Sequence, residues 1–201
     1  TLSSSSAASD VYKRQVAGYK SSNDILVLTS LEAINSIFHF AQPDIAVKSV
    51  DMRLPSGYIV NGTSVSINAI IHNIGGSAAQ NFIARFYDGD PSHGGIQIGD
   101  DIIVEEINAS LAVVVNTSWT AIAGVHSIYI VADALSSVTE KDEFNNIAHR
   151  DITVYTQLVV SITPASALME VGQSQVFASS VSGGAPPYLY QWYLNEVAIS
   201  S

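Results

Sequence analysis

Two Asp, two Glu and two Asn crowd into residues 133–146, DALSSVTEKDEFNN. No other stretch of the chain is as distinctive. Side-chain oxygens this close must be solvated, capped onto turns, or gathered round a hard cation. Calcium takes roughly six to eight oxygens from Asp, Glu, Asn and backbone carbonyls. Asp133, Glu140, Asp142 and Glu143 are the candidate Ca²⁺ ligands, and Asp88, Asp90, Asp100 or Asp101 could join them from loops at the same end. The competing reading is turn chemistry. Asn145 and Asn146 then cap a turn and hydrogen-bond the backbone where the next strand begins, while Glu140 and Glu143 stay solvated or fix the loop. The spacing is not that of an EF-hand loop.

Other chemistries find little support. The five histidines, His39, His72, His93, His126 and His149, show no H-E-x-x-H spacing. Cysteine is absent, which removes disulfides, thiolate catalysis and Cys-ligated zinc. Ser77 in GGSAA does not fit a nucleophile elbow, and no Gly-rich phosphate loop occurs. No catalytic residue and no cofactor beyond Ca²⁺ is therefore assigned. The net charge of -10 repels phosphate backbones and anionic lipid, which argues against nucleic acid and membrane surfaces as partners. No apolar run approaches the ~20 residues of a membrane span. Sequons begin at Asn61, Asn108 and Asn116, all near predicted turns or strand ends.

The elements that must position the acidic stretch are strands. Hydrophobic residues make up 47% of the chain and charged residues 13%, a balance that suits short strands joined by polar turns. Residues 1–15 read as a non-native or disordered leader, because DVYKRQ (10–15) looks like the translation of a transposon end. Residues 16–42 read as the tail of a preceding domain, with a strand at ILVL and a short helix capped by Ser30. Pro43 ends that helix and the period changes to two. DIAVKSV is the first strand, with Ile45 and Val47 on one face. SVSINAIIH alternates with Val65, Ile67, Ala69 and Ile71 inward. FIARFYD follows, then separate short strands at 96–98, 102–107 and 111–119, with Gly99, Asp100 and Asp101 as a turn. Strands at 125–132 and 147–154 flank the acidic stretch. About seven strands over residues 43–155, with no intervening helix, predict an all-β, immunoglobulin-like antiparallel sandwich. Residues 156–201 start the same pattern again: LVVSITP, a strand near 174–181, and YLYQWYLN with Trp192 as the expected inner-core residue. With three or four strands it reads as a truncated second immunoglobulin-like domain that cannot close its core.

Residues 44–155 resemble CARDB, the cell-adhesion-related domain found in bacteria and archaea. The matching pieces are Pro43-Asp44-Ile45, Asn73-Ile74-Gly75, Phe86-Tyr87-Asp88-Gly89, Gly124-Val125-His126, and the E-x-x-E-x-N-N ending at residues 140–146. Residues 158–201 resemble the opening of a PKD-like surface domain, through SITPASALMEVGQSQVF and GGAPPYLYQWYLN. The resemblance implies a seven-stranded extracellular sandwich, often tandemly repeated, found in adhesins and as an accessory to secreted enzymes. The expected function is a non-catalytic adhesion or spacer module of a large cell-surface protein. The alternative is a substrate-positioning or carbohydrate-binding domain of a secreted hydrolase. Expected partners are neighbouring domains of the same chain and a cell-surface protein or polysaccharide.

Overall fold

The computed structural model describes residues 42–200. The leader, the 25–28 strand and the helix after Ser30 lie outside the described residues. From Asp44 to Tyr155 the chain builds two packed, mainly antiparallel sheets. Strand β4 (Ser64–Asn73) sets the pattern, since Val65, Ile67, Ala69 and Ile71 are all buried and alternate with more exposed neighbours. A period-two apolar strand can bury only one face, so it must pack against a second sheet.

In the first sheet, β4 pairs on one edge with two short pieces, β1 (Ile45–Ala46) and β2 (Met52–Arg53). Its other edge carries β7 (Ala112–Thr120), in register from Ser64↔Thr120 to His72↔Ala112. The second sheet draws on β3 (Ile59–Val60), β5 (Ala79–Asp88), β6 (Ile96–Ile107), β8 (Gly124–Val131) and β9 (Ile147–Tyr155). Its order is β3-β9-β8-β5-β6. All pairs are antiparallel except β3–β9, where Ile59 sits beside Val154 in parallel. Counted with β1, β2 and β3 as one interrupted edge strand that crosses between sheets, the sandwich has seven strands, as the alternation predicts. Phe82, Phe86, Ile128 and Ile130 from one sheet meet Ile67, Ile71 and Met52 from the other, all essentially without solvent contact. Trp119, 7% exposed, joins the same core.

Three local expectations change. The DIAVKSV strand is only two residues long before a 3-10 turn at Ser49–Asp51. Ile45, Ala46 and Val47 are all buried there instead of alternating, because this segment is bonded on both of its edges. Residues 96–107 form one strand and not two, because Gly99 is absorbed as an irregularity at φ +71° and the pairing with β5 shifts between Ala84 and Phe86. Asp101 leaves the predicted turn and accepts from Arg85 Nε and Nη2 at 2.7 and 2.8 Å. That pair holds the Asp101 carboxyl below its ordinary range. Asp90 does turn the chain, capping the short turn Pro91–His93 through Ser92 N at 2.8 Å.

After Tyr155 the chain forms two separate hairpins, β10 (Val159–Thr163) with β11 (Ala178–Ser182) and β12 (Trp192–Leu194) with β13 (Val197–Ser200). None of residues 156–199 is buried. Trp192 is half-buried and not in a closed core. It lines an open cleft of about 470 Å³ with Leu158, Val160, Ile162, Val181 and Tyr188. Four short strands supply too little apolar cover to close over each other.

The two ends of the sandwich differ. The chain comes in at the end where β1 meets Asn73 of β4, beside residues 140–146. It leaves at the opposite end, where Tyr155 meets Asn61 and β4 begins at Ser64. Ten-residue β4 separates these ends by roughly 30 Å, at about 3.3 Å per residue.

Candidate functional site: the acidic loop and its corner

The loop after β8 is built by its own side chains. Asp133 takes a left-handed conformation, φ +48°, which Asp tolerates better than most residues. Its Oδ1 accepts from Ser137 N at 2.9 Å and Ser137 Oγ at 2.7 Å, and its Oδ2 accepts from Val138 N at 2.8 Å. Asp142 Oδ1 accepts from Phe144 N at 3.0 Å, and Glu143 Oε1 accepts from Glu140 N at 2.9 Å. Three of the four candidate ligands therefore fold the loop. Among the described residues, no three His, Asp or Glu side chains gather into a group able to hold a metal ion.

Glu140 behaves differently. It is 6% exposed, and it accepts from the backbone N–H of Ile45 in β1 and from Asn146 Nδ2 at 2.7 Å. Burial pushes its carboxyl up to about 7, with Glu143 and Asp133 adding to the rise, while the bonds from Ile45 and Asn146 oppose it. The two asparagines do not cap a turn through their side chains, as one reading expected. Asn145 Nδ2 donates to Asp44 Oδ1 at 2.7 Å, and Asn146 Nδ2 to Glu140. The bond to a carboxylate fixes which way each amide points. Each then leaves a buried Oδ1 without a protein partner. Asn146 also lines a pocket of about 300 Å³ with Asp133, Ser136, Glu143 and the fully exposed Phe144.

One buried group escaped the sequence reading. Asn73, wholly buried, uses all its bonding capacity at the corner beside the loop. Its Oδ1 accepts from Asp44 N at 3.2 Å and Gly75 N at 3.1 Å. Its Nδ2 donates to Ser77 O at 2.7 Å and Ile107 O at 2.8 Å. Gly75 must be glycine, since a Cβ there would lie 2.4 Å from Gln42 O. The sequence showed Asn73-Ile74-Gly75 as a piece of the family pattern, but not its depth. His126 is the structural residue expected: its Nδ1 lies 2.9 Å from both Asp88 oxygens, and its ring meets Trp119 edge-on at 5.1 Å.

The CARDB family profile matches residues 42–150, more than half of the chain. The chain belongs to the CARDB family. The match spans the whole sandwich but for its last few residues, and includes the corner at Asn73 and the loop at 140–146. Solved structures similar to the chain include the following. A crystal structure of the CARDB domain of a Pyrococcus furiosus protein, in complex with di-metal ions, is 22% identical, with a TM-score of 0.49 over 57% of this chain and 96% of that one. A solution structure of the same domain gives 22% and 0.47 over the same shares. A domain of a candidate cell-surface protein from Methanosarcina acetivorans is 21% identical, with a TM-score of 0.45 over 56% of this chain and 92% of that one. No curated protein matches the chain. Among the described residues, no helix is long and apolar enough to cross a membrane.

Proposed function

We propose that this CARDB domain is a non-catalytic spacer or adhesion module of an extracellular, cell-surface protein, holding its neighbours apart. The observation that carries the reading is the placement of its ends. The chain enters beside the 140–146 loop and leaves at Tyr155, about 30 Å away along the strand direction. Modules joined in this way string end to end, as tandem repeats would require. The carboxylates of the loop accept the bonds that fold it and that hold β1, a structural use of its acidic side chains. The test is mild protease treatment of intact cells that express the parent protein. The reading expects peptides from residues 43–155 in the released fraction. Peptides appearing only after lysis would contradict it.

A second reading rests on the orphaned amide oxygen of Asn146, which lines the pocket. Of the four sequence candidates, Asp133 and Glu143 line the pocket together with Asn146, whereas Glu140 and Asp142 do not. Buried oxygens without donors attract water or a cation. In this reading a divalent cation sits against Asp133, Glu143 and Asn146. Millimolar Ca²⁺ then raises the melting temperature over that in EDTA, and Glu143→Gln abolishes the rise. Equal melting in both buffers would leave the pocket to water.

A further inference from the structure

The incoming segment 42–47 is hydrogen-bonded along both of its edges. On one side it meets β4 and the corner after it. Ile45 and Ala46 pair with Asn73 and His72, Ile74 N donates to Asp44 O at 2.8 Å, and Gly76 N donates to Gln42 O at 2.9 Å. On the other side it meets the acidic loop at four points. Lys141 N donates to Pro43 O at 2.9 Å, Val47 N donates to Asn145 O at 3.1 Å, Asn145 Nδ2 donates to Asp44, and Ile45 N donates to Glu140. The loop side matters mechanically. Asn146 is followed directly by β9, and β9 leads out of the domain. β9 is paired with β8 from Ile147↔Val131 to Val154↔Gly124. At its far end Tyr155 O accepts from Asn61 N at 2.8 Å, and its ring stacks on Tyr58 at 5.3 Å.

We propose that residues 42–47 and 140–146 form a force-bearing clasp. Tension from the preceding chain passes through the four bonds into the loop, along β9, and out to the following chain. The inference rests on the reading of the domain as a spacer under load. The bonds lie across a strand that is pulled along its own length. They are therefore loaded together in shear, where none can open until all move. The apolar core lies off this line. The clasp accounts for a buried carboxylate and an amide spent on a two-residue strand.

The experiment is single-molecule pulling of the full chain in two geometries. In the first, force is applied between the two chain ends. In the second, it is applied between Ile96→Cys, an exposed position on β6, and the C-terminus. The chain has no other cysteine, so the attachment is unique. Forced unfolding is governed by the unfolding rate. Asn145→Ala removes one side-chain bond of the clasp. It should speed end-to-end unfolding roughly fivefold at constant force, as loss of one net hydrogen bond predicts. It should leave unfolding from Ile96→Cys unchanged. Should Asn145→Ala fold poorly, Asp44→Asn weakens the same bond while keeping its shape, and the same contrast is expected. Equal acceleration in both geometries would mean general destabilisation and overturn the clasp, as would no acceleration end to end. Neither result touches the spacer reading itself, which depends on where the chain enters and leaves.

Discussion

Glu140 is the residue on which the loop turns, and its chemistry has a consequence for stability. Its carboxyl titrates at about 7 in the folded chain against an ordinary 4.5. The folded state thus holds this proton more tightly than the unfolded chain does. The contribution is fully present below about pH 4.5 and is lost as pH rises through about 7. Glu140→Gln keeps an acceptor for Ile45 and carries no charge. Denaturant midpoints at pH 5 and pH 8 should show the variant gaining on the wild type as pH rises; a constant difference would mean that Glu140 does not titrate in this range. The sequence offered Glu140 as a Ca²⁺ candidate, a solvated side chain or one that fixes the loop. It did not show that the loop folds back on β1, a contact 95 residues distant. Asn73 was hidden for the same reason, since its four partners are brought together only when Asp44, Ser77 and Ile107 converge.

At the scale of the elements, the strands were far more legible. A period of two over SVSINAIIH or FIARFYD states both the strand and its buried face. What periodicity could not give was continuity. Gly99 reads as a break, yet a sheet accommodates one irregular residue without ending a strand. The edge pieces β1, β2 and β3 were blurred because each is only two residues long, too short to show a period of two. Trp119 and Ile128 face each other's sheets within one core, so truncating either leaves a cavity. Trp119→Ala should lower stability by about 3–5 kcal/mol and Ile128→Ala by about 2–5 kcal/mol, read from urea denaturation. Unchanged midpoints in both would be incompatible with the packing described. Matching truncations in β10 to β13 should matter little, because no residue from 156 to 199 is buried.

At the scale of the molecule, a spacer role depends on a separation held fixed by the fold. The sandwich is a stiff body of two packed sheets, with the clasp at one end and the Tyr155–Asn61 contact at the other. Its two ends carry exposed side chains suited to labelling, Phe144 at the first and Ile122 at the second. The most direct measurement is therefore a spin-label distance between Phe144→Cys and Ile122→Cys in the otherwise cysteine-free chain. A single narrow distribution centred near ~30 Å, as ten residues of extended strand require, is the predicted result. A separation of half that, or a distribution spread over tens of ångströms, would mean that the domain does not hold its two ends apart, and the spacer reading would fall.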